Sequence, residues 1–319
     1  TGLTITTVNV SGGQDGIDAY NYGSGQVSIT STGIVTGTER DGITVLQGAY
    51  ANNLSIDVDT VLGGNSGIAA SHYGEGALEI TATGDVTGLN GTGIFAELDQ
   101  SGSVNGGNGT DTIIDVSGVT GGSNGIFVDH DGSGELSITA NGPIVANAGD
   151  GMRADNEKGT DTTIIVDDVT ATATGIGVTH SGTGAVVVQS TGVVNANGNG
   201  IAVANTGNGG TTVTASDVRG GIDAENSGTG ITRVTVDGVI SSSFSNAAIE
   251  ADSGAGQQVF VTLQDGAVVE NSEAEFAIQN NESDATVTLK AGSRVESAIL
   301  LNDGSDTLVL DGGEIDTSG

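Results

Sequence analysis

Gly67-Ile68-Ala69-Ala70 and Gly93-Ile94-Phe95-Ala96 stand 26 residues apart and set a ruler for the whole chain. The same Gly-Ile-x-Ala/Val anchor occurs at Gly16-Ile17-Asp18-Ala19, Gly42-Ile43-Thr44-Val45 and Gly125-Ile126-Phe127-Val128. It continues as Gly151-Met152, Gly175-Ile176, Gly200-Ile201 and Gly221-Ile222, then as Ala248-Ile249, Ala277-Ile278 and Ala298-Ile299. From Ile17 to Ile299 there are 282 residues in eleven steps, about 25.6 per step, with individual steps of 21 to 32. Self-similarity at such a period marks a repeat architecture.

Each step holds two further apolar alternations after the anchor. Val27-Ser28-Ile29, Leu78-Glu79-Ile80 and Val186-Val187-Val188 represent the first, and Gly33-Ile34-Val35-Thr36-Gly37 and Gly84-Asp85-Val86-Thr87-Gly88 the second. Period-two runs bounded by Gly, Asn, Ser and Asp read as short strands. An antiparallel meander does not return the same strand type every 25 residues or so; three strands per step predict an all-β, right-handed parallel β-helix of about twelve coils. Coils stack about 4.8 Å apart, and a narrow tube lined by Ile, Val and Ala explains why aromatics make up only 3% of the chain. Residues 1–319 are expected to form one β-helical domain. Corner signals support this. Gly-x-Gly recurs at Gly23/Gly25, Gly74/Gly76, Gly132/Gly134, Gly182/Gly184, Gly207/Gly209, Gly228/Gly230 and Gly254/Gly256, where turns with positive φ are expected. The fourth residue after the anchor forms a column of Asn21, Gln47, His72, Leu98, His130, Asn156, His180, Asn205 and Asn226. Its amides and imidazoles are expected to hydrogen-bond along the column and satisfy corner backbone groups.

Composition closes off other classes. Gly supplies 56 of 319 residues, Pro one, and Cys and Trp none, which leaves too few bulky side chains for an ordinary globular core. At 35% hydrophobic the chain is too rich in β-formers for disorder, and it lacks the Pro content and three-residue period of collagen. Seven Lys and Arg against 40 Asp and Glu give a net charge of −33, and residues 1–152 carry a single basic side chain, Arg40. Nucleic acid is excluded as a partner, and anionic lipid surfaces are disfavoured. No apolar run reaches 18 residues, so no helical membrane insertion by this segment is expected.

With these anchors, the Ser-Thr-Gly-x-Val-Thr strands and the stretch Leu301-Asn302-Asp303-Gly304-Ser305-Asp306-Thr307-Leu308-Val309-Leu310-Asp311-Gly312-Gly313, the whole chain resembles the passenger region of bacterial type V autotransporters. The resemblance implies secretion across two membranes through a C-terminal β-barrel. That barrel and the autochaperone segment before it are read as lying outside this chain. It implies an adhesin or virulence factor at the bacterial cell surface, on the extracellular side of the outer membrane, or secreted. The expected partners are a host cell-surface or extracellular-matrix ligand and host antibodies, met by a monomer. Two other functions compete: a cohaemolytic or toxin-like effector on host membranes, and a polysaccharide-active β-helix enzyme.

Candidate chemistry is sparse. His72, His130 and His180 fall in coils three, five and seven of one column, so neighbours stand about 9.6 Å apart and cannot share one ion at zinc distances. Gly121-Gly122-Ser123-Asn124-Gly125 matches a nucleophile elbow only formally, because that motif needs a strand-turn-helix. Ala251-Asp252-Ser253-Gly254 likewise matches part of a protease loop without a protease domain. The acid pairs Asp57/Asp59, Asp167/Asp168 and Asp303/Asp306 lack a neighbouring base, leaving Asp217 near Arg219 as the nearest approach to a catalytic pair. Gly304-Ser305-Asp306-Thr307-Leu308 resembles one calcium nonapeptide, and a single copy cannot build the two-turn site. No catalysis, metal or cofactor is expected.

Binding is the stronger signal. Tyr20, Tyr22, Tyr50 and Tyr73 all lie in the first three coils, and alternation points Tyr20 outward. Phe95 and Phe127 follow their anchor Ile immediately and also face outward. Tyr20, Tyr22, Tyr73, Phe95 and Phe127 are therefore the candidate contact residues. Alternatively, the 32-residue step from Ile94 to Ile126 places an insertion, Asp99 to Thr110, that folds over the two phenylalanine rings.

Overall fold

The computed structural model describes residues 1–99, 109–242, 247–254, 256–271 and 276–316. All regular structure among them is β-strand, arranged as a parallel β-solenoid of about twelve turns. The chain divides into two compact units, Thr1–Val166 and Asp167–Gly319.

In the first unit the anchor runs become the strands Ile17–Asn21, Ile43–Gln47, Ile68–His72, Ile94–Leu98, Ile126–His130 and Met152–Asn156. They pair in parallel, and their first residues stand in one ladder, Ile17↔Ile43↔Ile68↔Ile94↔Ile126↔Met152. The 32-residue step leaves the ladder intact, because an insertion at a corner need not alter the next strand's register. In the second unit the ladder is Ile176↔Ile201↔Ile222↔Ile249↔Ile278↔Ile299.

The two remaining runs of each coil form the rest of the tube wall. In Val27–Gly37, Leu54–Gly63 and Gly76–Gly88 they are continuous in one strand. The strand bends at a register shift, between Ser31 and Ile34 and again between Val58 and Val61, where a bulge turns the chain without ending its pairing. Alternation places Ile, Val, Leu and Ala inside, and Ile29, Ile43, Leu54, Ile56 and Ile68 are fully buried. Among the described residues none of the buried hydrophobics is aromatic, as the tight lumen requires.

The polar column lines an inner corner, with Gln47, His72, His130 and His180 fully buried. Its bonds run mainly to corner backbone and to a threonine of an adjoining wall strand. The Asn205 amide donates to the Gly209 carbonyl (3.1 Å) and to Thr211 Oγ1 (3.2 Å), while Asn205 Oδ1 accepts from the Gly207 N–H (2.9 Å). Asn156 repeats the arrangement with Thr162 and Gly159, and His130 Nδ1 pairs with Thr112 Oγ1 (2.8 Å). Asn156 and Asn205 thus satisfy backbone groups of their own turns.

The corner glycines are there for a different reason than turn geometry. Of the Gly-x-Gly set only Gly76 and Gly256 have positive φ. At Gly25, Gly209, Gly228 and Gly230 a Cβ would collide with the backbone of the preceding coil. Anchor glycines are excluded from having a side chain in the same way. A Cβ on Gly67 would lie 2.6 Å from both the Gly93 carbonyl oxygen and Val86 Cγ1. Spacing between coils, rather than backbone twist, selects glycine.

Burial of the ladder gives a direct test. Ile176→Asp places an unpaired charge in the tube and is expected to cost about 3–5 kcal/mol in chemical denaturation. Thr179→Asn, three residues on and exposed, is expected to stay within about 0.5 kcal/mol. Equal effects would mean that the anchors do not face inward.

Candidate functional site

Outward positions of the anchor strands carry most of the chain's unusual chemistry. In the first unit two columns run side by side. One reads Asp18, Thr44, Ala69, Phe95, Phe127, Arg153, and the other Tyr20, Leu46, Ser71, Glu97, Asp129, Asp155.

The five candidate contact residues divide between these columns and their edges. Tyr20 and Tyr22 are 51% and 70% exposed, and their rings stack at 6.5 Å between centroids and 15° between planes. Tyr50 is also exposed. Phe95 and Phe127 are half-buried and stack on each other at 5.7 Å, with the Arg153 guanidinium over Phe127 at 5.6 Å. Tyr73 is half-buried, and its hydroxyl donates to Glu97 Oε2 (2.8 Å). Thr44 and Ala69 separate Asp18 from the phenylalanines in the first column, so the tyrosine pair and the phenylalanine pair are distinct features. Gln100 to Asn108 of the insertion lie outside the described residues.

Alongside the phenylalanines runs an acidic ladder, Glu97↔Asp129↔Asp155. Arg153 Nε donates to Asp155 Oδ2 (2.9 Å), and Lys158 Nζ to Asp131 Oδ2 (2.7 Å). Burial, followed by the charges of Asp131, Asp155, Glu157 and Glu97, pushes Asp129 up to about 6.

The second unit holds a ladder that the sequence reading missed. Asp223 pairs with Glu250 and Glu225 with Asp252 on the outward face. Here the neighbouring donor is an amide: the Asn281 side chain donates to Glu250 Oε1 (3.0 Å) and Asp252 Oδ2 (3.2 Å), and its N–H to Asp252 Oδ1 (2.7 Å). Asp223 Oδ1 is buried without a hydrogen-bond partner. Burial first, then the charges of Glu225, Glu250 and Asp252, pushes Asp223 up to about 7. Glu225, Asn226, Ser227, Asp252, Ser253 and Glu282 border an adjoining cavity of about 210 Å³. The register of Asp223 against Glu250 was the signal available: two acids, each one residue after its anchor Ile, in consecutive coils.

Other sequence candidates become structural. His72 and His130 are separated in their ladder by Leu98. His72 Nε2 donates to the Glu75 carbonyl (3.1 Å), Nδ1 has no partner, and burial lowers the ring to about 4. Gly121 to Gly125 is a turn between the strands Gly109–Gly121 and Ile126–His130, so the elbow has no helix. Ser253 is buried, with Oγ sharing a 2.7 Å hydrogen bond with Thr232 Oγ1. Asp168, Asp217 and Asp306 each accept a backbone N–H of an adjacent coil, from Val193, Val239 and Ala285. Among the described residues, no group of three or more His, Cys, Asp or Glu is disposed to hold a metal.

The raised and lowered groups have opposite signatures. Asp223 is easier to protonate folded than unfolded, so its contribution to stability is full below about pH 3.8 and is lost as pH rises through 7. Asp223→Asn is therefore expected to raise the melting temperature at pH 8 and leave it nearly unchanged at pH 4. His72 is harder to protonate folded, so its contribution is full above about 6.5 and is lost as pH falls toward 4. His72→Gln is expected to flatten the fall in melting temperature across that window. Parallel pH profiles for variant and parent would contradict either assignment.

Comparison with protein-family models, with curated proteins and with solved structures finds no significant match to this chain.

Proposed function

We propose that this chain is a passenger-type segment of a type V autotransporter, displayed on the bacterial surface or released. It acts as an adhesin or virulence factor by binding a host cell-surface or matrix ligand, without chemistry of its own. The observation that carries this reading is the stacked, solvent-exposed Tyr20–Tyr22 pair on a chain of net charge −33. Exposing two aromatic rings costs solubility, and such patches occur at contact sites more often than elsewhere on a surface. The solenoid offers a rigid, repetitive scaffold for presenting them.

One observation favours a second reading, a polysaccharide-active enzyme. Burial and neighbouring carboxylates push Asp223 up to about 7, and it stands beside carboxylates that border a cavity; glycoside hydrolysis uses a pair of carboxyl groups, one of them with a raised pKa as the acid.

The two readings separate experimentally. Beads coated with the chain are expected to adhere to host cells, and Tyr20→Ser with Tyr22→Ser to reduce adherence at least fivefold with an unchanged melting temperature. Full adherence by that folded variant, together with reducing-sugar release that Asp223→Asn abolishes, would replace the binding role with the enzymatic one.

A further inference from the structure

Resting on that binding role, we infer that the Tyr20–Tyr22 face takes a cationic polypeptide segment, held by arginine side chains stacked on the rings. The fold itself supplies the precedent. Where an outward aromatic has arginine at the matching position of the adjacent coil, the guanidinium lies over the ring. Phe127 is in register with Arg153, 5.6 Å from its centroid, and Phe260 with Arg233 at 5.1 Å. Tyr20 is instead in register with Leu46, and Tyr22 packs beside Gly48, whose missing Cβ leaves room for the ring. The same receptor for a guanidinium is thus presented to solvent.

Charge selects the occupant. Asp18, exposed beside Tyr20, is the main cause of the phenol's raised pKa, followed by burial, with Asp15 adding to it and Arg40 opposing it. Arg40 is the only basic residue before Arg153, and its guanidinium is engaged by Asp15 at 3.3 Å. The face therefore repels anionic glycans, nucleic acid and acidic peptides and attracts cations. Arginine suits it better than lysine, because a planar guanidinium can stack on a ring while its edge donates to a carboxylate such as Asp18.

The test uses the full 319-residue chain. A labelled Gly-Arg-Gly-Arg-Gly peptide is titrated at roughly 0.15 M salt, where long-range attraction is screened. Its lysine and citrulline counterparts and an uncharged dextran oligomer are titrated in parallel. The arginine peptide is expected to bind about tenfold tighter than the lysine peptide, with citrulline and dextran weaker still. Tyr20→Leu with Tyr22→Leu is expected to abolish the preference for arginine while leaving the melting temperature in place. Equal binding of the arginine peptide by parent and variant would overturn the inference, since the acidic coat alone would then hold the cation. Tyrosine-dependent binding of dextran in place of the peptide would overturn it too. Adherence lost in the variant with arginine binding unchanged defeats this inference and leaves the binding role standing. The reverse result supports the arginine site and defeats the role.

Discussion

Every coil must bring the chain back to the same point of a narrow tube, and the in-register ladder of anchor isoleucines is the interaction that achieves it. Parallel strands about 4.8 Å apart leave no space for a Cβ where corners stack. Glycine therefore precedes the anchor at Gly16, Gly42, Gly67 and Gly93, with the γ-methyl of Val35, Val61, Val86 or Val119 filling the space a side chain would need. Among the described residues the same tightness keeps aromatics out of the lumen, and Tyr20, Phe95 and Phe127 stand on the outer face. Aromatic surface on this protein is a consequence of the tube before it is a feature of any function.

Asp and Glu are abundant for two physical reasons. Many are built into the coil stack: Asp15 accepts the N–H of Asp41, Asp41 that of Ser66, and Asp284 that of Ser305. A short acceptor at a corner satisfies a donor of the neighbouring coil that would otherwise lack a partner. Others stack into ladders because in-register repeats place like residues side by side. The first unit sets Arg153 against Asp155 of its ladder and Lys158 against Asp131 beside it. The second sets an amide, Asn281, against Glu250 and Asp252, while burial and then the charges of Glu225, Glu250 and Asp252 push Asp223 up to about 7.

How much of this was legible in the sequence depends on whether a feature is local or shared between coils. The anchor Ile positions, their register and the inward polar column follow from a period that survives steps of 21 to 32 residues. The outward direction of Tyr20 follows from simple alternation. What composition suggested about glycine was right in position and wrong in cause. The clash at Gly209 is with Gly184 of another coil, which lies outside any local turn rule. The corner roles of Asp168, Asp217 and Asp306 are not legible locally, because the backbone N–H groups they accept lie more than twenty residues away. Likewise, the divergence between Tyr73, tied to Glu97, and the open Tyr20–Tyr22 pair depends on which side chain stands one coil above.

The most direct test of the central claim exploits the absence of cysteine from the chain. Thr44 and Ala69 are outward and directly paired across adjacent coils. At the spacing of parallel strands their Cα atoms fall within reach of a disulfide, whereas Thr44 and Phe95, two coils apart at about 9.6 Å, do not. Mild oxidation of Thr44→Cys/Ala69→Cys should close an intramolecular disulfide, quantified by mass spectrometry of the cleaved chain, and Thr44→Cys/Phe95→Cys should remain reduced. A disulfide in the second variant and none in the first would contradict the in-register stack.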